Sequence, residues 1–407
     1  MKQQLQQLQP EEKLLLTIIK KNYSQAKKLI EVNDIDWQIF IGLVNEHRIS
    51  SIMYTCIINN LSEVCPQKFL TICKINVLQR IAENKYRQRE LKTLGKLFEE
   101  RNIPMMALKG FTLDPELTLL REFYDIDVLI PENMIISVID YLTEKGYSYQ
   151  GSFMISIKEK NDIYGQLKWN NQYQYKCPSS PFVIEIHTNL FERDRIRLEN
   201  LTFLLDQVDL FWERKRWDDN FLCYFPCHEA SLALLCLHTS LKRSPAENKM
   251  LLRHSLDMEI LVKNGIDKNY FLSLCRTWRI SYHICFAFKL HEMIMETSYE
   301  SFYTPLLYEL NKRERLLMKT HLSCVKDLHS SSSWGIFRYR LLMPFVIGGG
   351  IKKSIIWYLE CIFPTRVKQE FDFGIKRESP FIFLTYLINP PRWIWRKVIK
   401  PLINGNS

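Results

Sequence analysis

From Pro10 to about Asn102, apolar residues recur at three- and four-residue spacing. EEKLLLTIIKKN, IDWQIFIGLVNEH and the long QKFLTICKINVLQRIAENKYRQRELKTLGKLFEE all carry this pattern, which predicts helices throughout. From Ile103 the period changes. IPMMALKG predicts a strand ending in a glycine turn, DIDVLI a second strand closed by Pro131, and ENMIISVIDYLTEK a helix stopped by Gly146. YSYQGSFMISIK, NQYQYK and FVIEIHTNL predict three further strands, the last two joined through CPSSP as a hairpin. After about Leu201 the helical spacing returns, in EASLALLCLHTSLKR, LLRHSLDMEILVKNG and YFLSLCRTWRISYHICFAFKLHEMI. There is no internal repeat and no low-complexity linker. The expected fold is α+β: a small mixed-sheet core over residues 103–200, flanked by an N-terminal helical section (1–102) and a C-terminal helical domain (201–407).

Composition narrows the classes of function without choosing among them. With 46% hydrophobic and 25% charged residues in 407, the chain is long enough for two or three globular units, and its makeup excludes disorder. The net charge of +10 calls for an anionic partner such as a nucleotide, a nucleic acid or a lipid head group. Eleven scattered cysteines fit reduced thiols. The N-terminal stretch lacks a signal-peptide core, and no window of about eighteen residues is free of charge. The longest approach, LLMPFVIGGG, runs into Lys352 and Lys353. A cytoplasmic protein without a transmembrane helix is expected.

The chemistry concentrates in the middle section. Side chains two apart on a strand share a face, so Asp125 and Asp127 of DIDVLI stand side by side. Like charges that close need a counter-charge. In FVIEIH, Glu185 and His187 also share a face, and a strand placed beside DIDVLI would add Glu185 to the pair. Three converging carboxylates suit hard divalent cations, Mg²⁺ or Mn²⁺. Two such ions can clamp the attacking and leaving oxygens of a phosphoryl displacement. Upstream, Lys109 and Gly110 end a strand at a turn, where backbone can approach a phosphate and an ammonium can face it.

In their order, ALKG, R-x-x-x-D-I-D-V-L-I, a helix closed by KGY, and V-I-E-I-H resemble a bacterial nucleotidyltransferase family of the DNA polymerase-β-like superfamily. NEHRISSIMYTCI, PCHEASLALLCLHTSLKR with LLRHSLDMEILV, and YLECIFPTRVKQEFDFG extend the resemblance over most of the chain, with less specific motifs. The resemblance implies that Asp125, Asp127 and Glu185 are the catalytic metal-binding set. It further implies that Lys109, Gly110 and Arg121 contact the nucleotide, Arg121 either there or as a loop anchor. The implied enzyme is a Mg²⁺- or Mn²⁺-dependent transferase that uses an NTP such as ATP as co-substrate. Its acceptor would be a small molecule, a peptide or protein, or an RNA end. Two departures are Tyr124, where a small residue is usual, and a shortened Gly110–Asp125 segment in which Asp114-Pro115 would cap a curtailed helix. They keep open a non-catalytic nucleotide sensor or scaffold, and γ-phosphoryl transfer remains a further option.

Other features have blander readings. His187 is as well explained by a hydrogen bond within the sheet as by general-base work. Cys223, Cys227, His228, Cys236 and His238 match no familiar zinc spacing. The tail RWIWRKVIKPLINGNS, with Trp393, Trp395 and several basic residues, is read as an amphipathic helix packed on its own domain in preference to a peripheral membrane contact.

Overall fold

The computed structural model describes residues 8–112, 115–122, 125–150, 172–178, 181–190, 208–241, 251–322 and 379–395, with isolated positions between 355 and 373. Tyr124, the Asp114 cap, the strand expected after Gln150, the run 341–350 and most of the tail lie outside the described residues.

The first four helices, α1 (Pro10–Ile19), α2 (Tyr23–Val32), α3 (Trp37–Glu46) and α4 (Ser50–Asn60), bury one apolar stripe each in a common core around Leu14, Phe40, Tyr54 and Ile57. Asp36 starts α3 by accepting from the backbone N–H groups of Gln38 and Ile39, which no helical carbonyl can reach. Helix α5 (Gln67–Glu99) then runs 33 residues, about 50 Å at the usual rise. Its first half packs into the N-terminal core through Phe69, Leu70 and Cys73, and its second half against the sheet through Leu91, Leu94 and Phe98.

Among the described residues the sheet has seven strands: β1 (Met106–Ala107), β2 (Asp125–Leu129), β3 (Ser148–Tyr149), β4 (Gln172–Lys176), β5 (Val183–His187), β6 (Arg216–Asp218) and β7 (Cys223–Phe225). Their order is β3-β4-β5-β2-β1-β7-β6. Pairs β2–β5 and β1–β7 are parallel and the rest antiparallel, giving the mixed α+β sheet expected. The β4–β5 hairpin forms as its turn residues predict. Strands β6 and β7 come from beyond residue 200, out of the section read as helical. At three residues each they are too short to display a period of two.

Alternation along the strands separates two faces. Ile126, Val128, Tyr173, Tyr175, Ile184 and Ile186 point into a core shared with α5 and α7 (Ile135–Glu144). Met106, Leu108 and Leu129 point the other way, into the large core built by α8 (Val208–Glu213), α9 (His228–Ser240), α10 (Leu251–Lys263), α11 (Lys268–Thr277), α12 (Ser281–Met295), α13 (Glu300–Glu309) and α14 (Lys312–Leu322). Short α6 (Pro115–Leu120) leads into β2. The last described helix, α15 (Ile382–Ile394), turns apolar residues outward: Leu384, Leu387 and Ile388 are exposed while Thr385 and Asn389 are buried. No helix among the described residues is long and apolar enough to cross a membrane.

One glycine fixes the approach of α5 to the edge of the sheet. A Cβ on Gly95 would lie 2.0 Å from the backbone oxygen of Phe221, in the β6–β7 turn. Backbone cannot swing aside as a side chain can. Gly95→Ala should therefore destabilise the protein by about 1–3 kcal/mol through overpacking, read as a lower Tm in calorimetry.

Candidate active site

The segment entering β2 is held from three helices at once. Asn84 of α5 donates from Nδ2 to the carbonyls of Thr118, Leu119 and Arg121 at 2.9–3.1 Å. These groups at the end of α6 have no partner within that helix. Arg87 of the same helix steadies the Asn84 carbonyl oxygen at 2.9 Å. From α10, Asp257 takes a bidentate ion pair from Arg121, with Nε 3.2 Å from Oδ1 and Nη2 2.8 Å from Oδ2. From α4, Ser50 donates its backbone N–H to the buried carboxylate of Glu122 at 2.7 Å, and its hydroxyl donates there too. Arg253 of α10 reaches the Glu122 carbonyl through Nη1 at 3.0 Å. Arg121 and Asp257 are both buried, and removing one member of such a pair costs about 3–5 kcal/mol.

Beyond this clamp, β2 and β5 pair in parallel with Asp127 opposite Glu185 and Leu129 opposite His187. On the other side of β5, Gln174 lies opposite Glu185 and Gln172 opposite His187. Three adjacent strands thus present Asp125, Asp127, Glu185, His187, Gln172 and Gln174 on one face, opposite the isoleucines and tyrosines of the core. Gln174 Nε2 donates to Glu185 Oε1 at 2.7 Å. His187 Nε2 lies 2.7 Å from Asp127 Oδ1 and 3.6 Å from Glu185 Oε2. The Lys109 ammonium donates to the same Asp127 oxygen. To reach it, Lys109 takes a left-handed φ of 52°, a conformation lysine rarely adopts. The turn after β1 therefore places its left-handed residue at Lys109.

The carboxylates diverge in their hold on protons. Burial alone would raise Asp127, which is 4% exposed, but Lys109 and His187 outweigh it and hold its pKa well below the ordinary value. Asp125 and Glu185 are raised, first by burial and then by the negative charge of Asp127. Burial works against the Lys109 cation, yet Asp127, Asp125 and Glu185 together raise its pKa. Arg253 is pushed down to about 10, by burial and by the neighbouring charge of Arg121, while Asp257 and Asp125 favour its charged form. Its Nε is buried without a hydrogen-bond partner.

Of the residues singled out in the sequence, Asp125, Asp127, Glu185 and Lys109 are brought together. Gly110 sits in the 3₁₀ turn Lys109–Thr112, its carbonyl accepting from Thr118 Oγ1 at 3.3 Å. Arg121 is turned away to Asp257, serving as an anchor for the loop. His187, which sequence reasoning left aside, joins the cluster: Asp127, Glu185 and His187 each offer a ligand atom within 4.8 Å of the others. Gln172, Gln174 and Arg253 were missed. The polar–Tyr alternation of QYQYK carried a signal for the first two, whereas Arg253 lies on a helix far along the chain. The zinc reading finds no support among the described residues. Cys223 is held in β7 and Cys236 in the C-terminal core, and no ligand group forms from them. All nine described cysteines are free of disulfides.

Residues 33–296, well over half of the chain, match a family model described as uncharacterised nucleotidyltransferase, and the chain belongs to that family. Comparison with curated proteins and with solved structures found no match. Nucleotidyltransferases usually employ divalent metals, and the residues present fit one. Two carboxylates and an imidazole already converge, Asp125 stands next to them, and the excess negative charge is only partly met by Lys109.

The opposed shifts predict opposite effects on stability. A raised carboxyl loses stability for the fold as pH climbs past its ordinary value. Glu185→Gln should therefore raise Tm at neutral pH, with the gain vanishing below the ordinary carboxylate range, where both forms are uncharged. Asp127 contributes stability above its ordinary pKa that is lost as pH falls. Asp127→Asn should lower Tm at neutral pH by leaving Lys109 and His187 facing an amide. Melting curves of both variants from acid to neutral pH check the pair.

Proposed function

We propose that the protein transfers a nucleoside monophosphate from an NTP to an acceptor, with release of pyrophosphate. The observation that carries this reading is the in-register placement of Asp127 beside Glu185, with Lys109 and Asp125 at the same cluster, in a chain of a nucleotidyltransferase family. Asp125, Asp127 and Glu185, with His187 at the margin, would hold Mg²⁺ or Mn²⁺. When bound there, the metal would supply charge neutralisation for the triphosphate and polarise its α-phosphoryl group.

The chain's own groups account for the remaining needs. Lys109 balances Asp127 in the ligand-free protein and is placed to turn to a phosphate oxygen. Arg253, buried near Asp125 with its neighbouring carboxylate Asp257 already engaged by Arg121, supplies a second positive charge for the β- and γ-phosphates. The Glu185 carboxylate would take the proton of the attacking acceptor hydroxyl. The new bond forms between the acceptor oxygen and the α-phosphorus, and the bond to the bridging oxygen breaks. Positioning and fixed charge carry most of the catalysis.

The test uses each of the four NTPs, with and without Mg²⁺. One NTP should raise Tm only with metal present, and Asp125→Asn should abolish that shift while leaving the fold intact. Label from the α-phosphate of that NTP, but not from its γ-phosphate, should pass to a component of cell extract. Transfer of γ-label would replace this reading by a kinase, and binding without any transfer would replace it by a nucleotide sensor. Arg253→Gln should weaken NTP binding by about 10- to 100-fold, the worth of a hydrogen bond to a charged group, in calorimetric titration.

A further inference from the structure

Helix α15 and the segment before it lie outside the region shared with the family, which ends at residue 296. Their polarity is inverted. Ten of the eighteen large hydrophobic side chains exposed among the described residues lie between 355 and 395. At about 100° per residue, Phe381, Phe383, Leu384, Leu387, Ile388, Ile394 and Trp395 fall within one arc of about 160°. All are close to half exposed or more, and Leu387 is 73% exposed.

The opposite arc is the one turned inward; it buries Ile382 together with the polar Thr385 and Asn389. Thr385 is fully buried and donates its hydroxyl to the Gln369 amide oxygen, and Asn389 donates to the Ile362 carbonyl at 2.8 Å. Arg392 stacks its guanidinium 4.7 Å from the Phe373 ring centre. Hydrogen bonds to buried neighbours fix the rotation of the helix, so the apolar face cannot roll inward without orphaning them. Outward-facing Ile355, Leu359 and Phe363, spaced four apart, repeat the arrangement just upstream.

Charge points to what covers this face. Residues 341–407 contain ten lysines and arginines against four aspartates and glutamates, so most of the chain's net charge of +10 resides in this last sixth. A broad apolar face with tryptophan at one end, in a stretch of sequence rich in lysine and arginine, has the properties of a helix lying in the plane of a lipid–water interface. Its head-group neighbours would be anionic. A protein partner would not call for so concentrated a positive charge in this stretch of sequence.

We propose that α15 docks the protein on the surface of an anionic bilayer, its apolar arc entering the boundary between head groups and acyl chains. The helix does not span the membrane.

The test is flotation of the full chain with vesicles of phosphatidylcholine alone and of phosphatidylcholine with phosphatidylglycerol. Most of the protein should float with the anionic vesicles and little with the neutral ones, and raised salt should weaken the association. Leu384→Glu with Leu387→Glu should reduce flotation to background without changing Tm, because both side chains face outward already. No flotation with either vesicle, or flotation unaffected by the double substitution, would overturn the proposal. So would a dimer in sedimentation that the same substitution dissociates without any lipid binding, since the face would then belong to a second copy.

Discussion

The ion pair between Arg121 and Asp257 determines where strand β2 begins, and much of the molecule is arranged around it. Arg121 follows α6 directly, and Asp257 sits on α10, more than a hundred residues later. Together with Asn84 from α5 and Ser50 from α4, the pair closes a set of polar bonds around the end of α6 and the two residues that follow it. Buried charges tolerate no slippage, because either group left alone would carry its full desolvation cost. The N-terminal helices, the sheet and the C-terminal helices are therefore locked in relation to the point where Asp125 emerges.

The acidic face is a compromise between folding and reactivity. Asp127 is stabilised by its own lysine and histidine, whereas Asp125 and Glu185 are left with raised proton affinity that the protein alone does not relieve. Such opposed environments among neighbouring carboxylates are a mark of sites that handle charge. The left-handed Lys109 adds local backbone strain to the same few residues. A divalent cation would offset the negative charge that the polypeptide leaves open.

The inverted helix α15 represents the same logic at the surface. Where polar groups are already satisfied inside, apolar ones must face outward, and a folded chain leaves such a stripe open only where something else covers it. The nucleotidyltransferase region and this face are thus distinct parts of the molecule with distinct demands on their surroundings.

Periodicity by itself determined the α+β class, the β4–β5 hairpin and the helical flanks, because burial of one face leaves its spacing in the sequence. The aspartate fork was equally legible, since side chains two apart must share a face whatever the strand's neighbours, whereas Glu185 met it only because β5 pairs with β2. Tertiary structure alone decided the rest. Strands β6 and β7 are too short to show a period; β7 is fixed by pairing with β1 and β6 by pairing with β7. Arg121 could serve a phosphate or a carboxylate until the fold brought Asp257 to it. His187 and the glutamines joined the cluster only once strand register was set, and Arg253 arrived from a distant helix. The outward turn of α15 also lay beyond the sequence: an amphipathic pattern specifies two faces, and only packing decides which one meets the protein.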